Sequence, residues 1–308
     1  MRITLRNFPV EEFLWGVGAA TLALVVAAML TARWSESGGR ERYRAAVPGL
    51  LATAAALGAI GRTWPVTAST VVGLAGVTAP AVWLARRPSS RTAWLAGPGA
   101  MVVPAYLLAA DASSTAWVRG FLVAGLVAAV PAACRTDADY GPTGVTPVLY
   151  ALAAAGVFAA VPDTEQAATL LGASLPLAVC GWPVGRARLG TPGAGAATAL
   201  LIWVAAVGGR GREPSIIGAV GCLGLLVTLP AGQWLASRTG RLRTVRRPGR
   251  HLLALVLVQV VVVTVASRVA GVSADIDVAV VVTAATLLAA LAASVLLAAR
   301  SPADVACG

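Results

Sequence analysis

The stretch Leu252–Ala270 reads LLALVLVQVVVVTVASRVA, with one amide side chain, Gln259, near its middle and one charge, Arg268, near its end. An α-helix rises about 1.5 Å per residue, and roughly 20 apolar residues cross the hydrocarbon core of a bilayer. The stretch therefore predicts a membrane-spanning helix. Lipid offers the backbone no hydrogen-bond partner, so an apolar run of this length must be helical.

The flanks support that reading. Immediately upstream, residues 238–250 hold six arginines, Arg238, Arg241, Arg243, Arg246, Arg247 and Arg250. Downstream, Asp275 and Asp277 precede a second long apolar run, Val278–Ala299. Nine further runs lie N-terminal to the arginine loop: Phe13–Ala32, Ala45–Gly61, Val66–Ala85, Thr92–Ala110, Thr115–Cys134, Val145–Val161, Ala167–Val184, Gly190–Gly208 and Ser215–Ala236. The expected fold is thus all-α, a polytopic integral membrane protein with about 11 transmembrane helices in a single membrane domain spanning residues 1–308.

Composition agrees. Across 308 residues, 58% are hydrophobic and 12% charged. An ordinary soluble domain carries about 25% charged residues. That deficit excludes a soluble enzyme and a disordered tail.

Arginine placement tests the count, because cytoplasmic loops are enriched in positive charge. All 24 basic residues are Arg, and alternate loops collect 17 of them: the loops beginning at Arg33, Arg86, Arg135, Arg186 and Arg238, and the tail at Arg300. The opposite side holds Arg2, Arg6, Arg62, Arg119, Arg210, Arg212 and Arg268. This asymmetry predicts the cell membrane as location, with the N-terminus outside and the C-terminus cytoplasmic. Tryptophan favours the membrane–water interface. In this topology Trp34, Trp83, Trp94, Trp182 and Trp234 fall near the inner interface, and Trp15, Trp64, Trp117 and Trp203 near the outer one.

An offset of 99 residues aligns Pro48 with Pro147, Thr70 with Thr169, Gly73 with Gly172, Trp83 with Trp182 and Arg87 with Arg186. It defines two parallel four-helix units, residues 45–134 and 145–236, with extra helices at 13–32 and 252–299. A composition-preserving shuffle decides whether the offset exceeds chance among Ala-rich helices.

Absences narrow the chemistry. The chain has no Lys and one His, His251, which excludes a lysine Schiff base, a phosphate-loop lysine and an HExxH zinc site. Cys134, Cys180, Cys222 and Cys307 show no CxxC spacing and read as structural thiols. No ionisable residue falls near the middle of a predicted span, so Gln259 is the candidate midplane polar contact, read first as an interhelical hydrogen bond.

Charges gather at the outer ends of helices. Asp111, Arg119, Asp163, Glu165, Arg210, Arg212 and Arg268 form the candidate substrate or ion-pair cluster, beside Glu213, Asp275 and Asp277. A guanidinium fork suits a carboxylate or phosphate. Helix capping and internal pairing account for the same residues, with Asp163 or Thr164 capping the seventh helix. Gly97-Pro98-Gly99 predicts a break or kink in the fourth helix. The segment Arg135–Gly144, RTDADYGPTG, reads as a loop whose Asp137 and Asp139 form a turn rather than a metal site.

The segment FPVEEFLWG (Phe8–Gly16) resembles the proline-acidic-acidic helix start of the membrane lycopene cyclase family over nine residues. In that family the motif follows other spans and recurs; this chain shows neither feature, and no catalytic role is carried to Glu11 or Glu12. Pro9, Glu11 and Glu12 also make an ordinary helix N-terminus.

Three functions compete. The first is a permease-like transporter of a small or lipid-linked anionic solute. The second is a non-catalytic membrane subunit or scaffold of a larger assembly. The third is a membrane enzyme acting on a lipid or isoprenoid through Asp137 and Asp139 or Glu11 and Glu12. Catalysis is the less favoured, and no cofactor or metal is expected. The expected partners are the bilayer itself, anionic lipid headgroups at the 238–250 loop and other membrane proteins, not nucleic acid.

Overall fold

A computed structural model describes residues 8–36, 47–86, 91–113, 115–161, 165–181, 188–238, 249–272 and 275–299. Among these residues the regular structure is entirely helical. The helices are α1 (Val10–Glu36), α2 (Val47–Ile60), α3 (Ala68–Arg86), α4 (Arg91–Ala112), α5 (Ala116–Tyr140), α6 (Val145–Ala160), α7 (Glu165–Gly181), α8 (Gly190–Gly208), α9 (Glu213–Gly221), α10 (Gly224–Arg238), α11 (Gly249–Val272) and α12 (Ile276–Ala299). Among the described residues, five stretches are long and apolar enough to cross a membrane: Val10–Thr31, Ala68–Ala85, Ala116–Thr143, Gly190–Gly208 and Ile276–Leu297. The bent pair α9–α10 makes a sixth. These helices fit a membrane protein.

Helix α8 is the hub. It packs against α2, α3 and α5 and touches α4, α6, α7 and α9. Within its apolar window 83% of residues are buried inside the protein, against 22% for α1 and for α12. Small residues permit this approach, because without a hydrophobic drive between helices in lipid, close backbone packing is what holds them. Gly49 of α2 lies directly on the backbone of Leu189, and a Cβ on Gly193 would lie 2.8 Å from the Gly49 Cα. Helices α1 and α7 use the same device reciprocally: Gly16 faces the carbonyl of Thr169, and Gly172 that of Phe13.

Contacts at the helix ends show how the rods alternate. One end, here called the Asp111 rim, joins the start of α1 to the turn after α2 (Glu11 with Arg62). It also joins the start of α3 to the end of α4 (Thr70 with Asp111) and the end of α8 to the same aspartate (Trp203). At the opposite Tyr140 rim, Tyr140 ends α5 beside Gln233 of α10, and Cys134 donates to the Thr191 carbonyl at the start of α8. Thr283 reaches the Ile217 carbonyl and Thr228 meets Ser294, so α12 runs parallel to α9 and α10.

Three local expectations are corrected. The segment Ser215–Ala236 is not one helix: α9 and α10 meet at a 50° bend. No proline stands at the break, which is why the sequence hid it. Gly224 takes φ +25°, a conformation that favours glycine, and the amides of Cys222, Leu223 and Leu226 bond three residues back instead of four. Conversely, of the break or kink expected at Gly97-Pro98-Gly99 the break is absent, and α4 continues through all three residues. Proline's fixed φ is helical, and it removes one hydrogen bond without forcing the backbone to open. Finally, α5 continues to Tyr140, so most of Arg135–Gly144 is helix, closed by a 3-10 turn at Gly141–Thr143 and a left-handed Gly144.

Candidate functional site

The Asp111 rim is built on the end of α4. A helix leaves its last carbonyls without intrahelical donors, and they carry the negative end of the helix dipole. Here three successive carbonyls are taken by arginines. Arg210, in the α8–α9 turn, donates Nε–H to the Ala112 carbonyl at 2.8 Å and an Nη to the Asp111 carbonyl. Arg119, on α5, donates Nε–H to the Ser113 carbonyl at 2.7 Å. The Arg210 guanidinium also lies 4.6 Å over the ring of Trp64, a cation–π contact.

The Asp111 carboxylate, half-buried, binds three elements together. It accepts Oγ1–H of Thr70 at 2.9 Å and Nε1–H of Trp203 at 3.0 Å, with Thr67 at 3.4 Å. Trp203 is 1% exposed. The topology reading placed it at the outer interface; it lies at that end of its helix, but inside the bundle, its one donor spent on Asp111.

The node at the α9–α10 break is different in kind. Gln259 of α11 is fully buried. Its Nε2 donates to the Cys222 carbonyl at 2.9 Å, and its Oε1 accepts the Leu225 amide at 3.0 Å. One neutral side chain thus takes up a carbonyl and an amide at the α9–α10 break. A Cβ on Gly156 would lie 2.6 Å from Cys222 Sγ, so α6 packs directly onto the break. The interhelical hydrogen bond read from sequence is here a patch on a broken helix.

At the Tyr140 rim, Pro230 inside α10 leaves the Leu226 carbonyl without its helical donor. Thr136 of α5 supplies the replacement at 2.9 Å. Asp137, 4% exposed, accepts Thr146 Oγ1–H at 2.9 Å, whereas Asp139 pairs with Arg135 at 3.1 Å. The two carboxylates have separate partners and form no joint site.

Of the outer cluster, the structure brings together Asp111 and Arg210, with Arg119 on the neighbouring carbonyl. Arg212 precedes α9 and is exposed; Arg268 is exposed on α11; Glu165 is exposed at the first turn of α7. Asp163 and Thr164 lie outside the described residues, as does most of the arginine loop at 239–248. Asp275 Oδ1 accepts the Asp277 amide at 3.0 Å, capping α12. Sequence reading missed Thr67, Thr70, Trp64 and Trp203 as parts of the Asp111 node. Their separations from Asp111 reach 92 residues, and no local pattern links them. Compared with known proteins, the chain matches no family model and no curated sequence.

Proposed function

We propose that the chain is an eleven-span protein of the cell membrane, N-terminus outside, that works as a non-catalytic membrane subunit of a larger assembly. The observation that carries the functional part is how its marked polar residues are spent. Arg119 and Arg210 cap α4, Gln259 closes the α9–α10 break, and Asp111 ties α3, α4 and α8. Each serves the protein's own backbone or packing. The two arginines nearest Asp111, the pair a permease would offer to an anionic solute there, already hold carbonyls.

The topology has three supports. The bent pair taken together leaves eleven rods among the described helices, and those rods match the eleven apolar runs. The end contacts above give alternating directions to α1 through α5, and place the end of α8 and the end of α10 at opposite rims. Arg135 on α5, Arg188 just before α8 and Arg238 at the end of α10, all from the arginine-rich set, lie on the segments that form the Tyr140 rim, which favours placing that rim in the cytoplasm.

The functional reading is tested by extracting the full chain from its native membrane in mild detergent and measuring native mass. A complex of fixed stoichiometry, heavier than the 30.9 kDa chain and its lipids, is the expected result. Purified chain that by itself moves an anionic solute into liposomes overturns the subunit reading in favour of the permease.

A further inference from the structure

A second feature of the Asp111 rim takes no part in the α4 cap. Between the start of α1, the end of α2 and α7 lies a cleft of about 90 Å³, lined by Glu11, Glu12, Trp15, Arg62, Thr63 and Thr169. Its hydrogen-bond inventory is one-sided. Thr63 Oγ1–H donates to the Ile60 carbonyl at 3.2 Å, and Thr169 Oγ1–H donates to the Glu165 carbonyl at 3.0 Å. Both hydroxyl protons are therefore committed, and each oxygen keeps lone pairs for accepting. Glu11 and Glu12 add two carboxylates.

Among the lining residues the one cation is Arg62. The Arg62 guanidinium lies 3.9 Å over the Trp15 ring and 3.7 Å from Glu11 Oε1. It remains 47% exposed, so it rests on the cleft wall without filling it. Two carboxylates against one guanidinium leave the cleft with a formal excess of one negative charge. An aromatic face beside carboxylates is the usual way to hold an ammonium ion. The volume admits an ammonium group and its first carbons.

We propose that this cleft is a binding site for a primary organic ammonium, on Trp15, Glu11 and Glu12, with Arg62 as the internal cation that the ligand displaces. The ammonium is either free or carried by an aminophospholipid headgroup, and both share the ethanolammonium chemistry. An internal competitor lowers apparent affinity by the fraction of sites it occupies, so removing it tightens binding.

The experiment uses the full chain in nanodiscs. In phosphatidylglycerol discs, ethanolammonium chloride is titrated by saturation-transfer NMR against sodium chloride of equal ionic strength. In a second arm, phosphatidylethanolamine in the disc competes with the free ion. Binding is expected to weaken about tenfold in Glu12→Gln and in Trp15→Ala, and to tighten about fivefold in Arg62→Gln, each close to one cation–π or ion-pair contact. Competition in the second arm assigns the lipid-borne source, and its absence the free amine. The tightening in Arg62→Gln separates a ligand site from a merely structural ion pair, whose loss would weaken binding or leave it unchanged. Equal signals in all four proteins, no binding in either arm, or weaker binding in Arg62→Gln would overturn the proposal.

Discussion

Two nodes of this protein meet the same problem by opposite chemistry. At the end of α4, three carbonyls are closed by two charged guanidiniums at the rim. At the α9–α10 break, a carbonyl and an amide are closed by one neutral amide side chain in the buried middle. Depth explains the difference. A charge near the bilayer centre is expensive, whereas at the edge it keeps its contact with water. A glutamine carries a donor and an acceptor on one planar group, so it satisfies both ends of a break without any net charge. At these two nodes, depth within the protein selects the group that closes the exposed backbone.

This comparison ranks the mutants. Gln259→Leu leaves the Cys222 carbonyl and the Leu225 amide unpaired where water does not reach, and the expected loss is about 3 kcal/mol. Thermal unfolding of the purified chain in a single detergent measures it; a loss within error of zero would mean that the break finds other partners. Asp111→Ala comes next. It strips the Trp203 N–H and the Thr70 hydroxyl of a shared acceptor, at about 2 kcal/mol by the same assay. Arg210→Gln is the smallest, under about 1 kcal/mol, because its side chain is exposed and water can take over its carbonyls. Its effect shrinks further in high salt, whereas that of Gln259→Leu does not. A reversed order, with the rim arginine costing most, breaks the depth argument.

How much of this was legible in the sequence follows from the same physics. Each rod rests on a continuous apolar run, and such runs are local, so the helices could be read from composition alone. Gln259 was also legible, since an amide alone among valines and leucines must find partners. The break that it patches was not. Gly221 and Gly224 resemble the many glycines that only serve packing, and nothing local distinguishes a glycine at positive φ. The prolines misled in the other direction at Pro98, where the helix simply continues. The Asp111 node joins residues tens of positions apart, and Trp203 looked interfacial because its position along the helix was right while its facing was hidden. The ninth and eleventh rods show the remaining difficulty. Parallel packing of α12 with α9 and α10 depends on pairs such as Thr228 with Ser294, whose small side chains carry no distinctive signal.

The central claim is that the polar residues of the membrane interior are spent on structure, leaving the middle dry and packed. Cys222 offers the direct test, because it is fully buried at the break beside Gln259. In a variant that keeps Cys222 and replaces Cys134, Cys180 and Cys307 by alanine, a water-soluble methanethiosulfonate is applied to native membranes from either side. The account predicts no modification of Cys222 in native membranes, and modification once the protein is denatured. Rapid labelling of Cys222 in the folded protein would reveal an aqueous path to mid-depth and contradict the account.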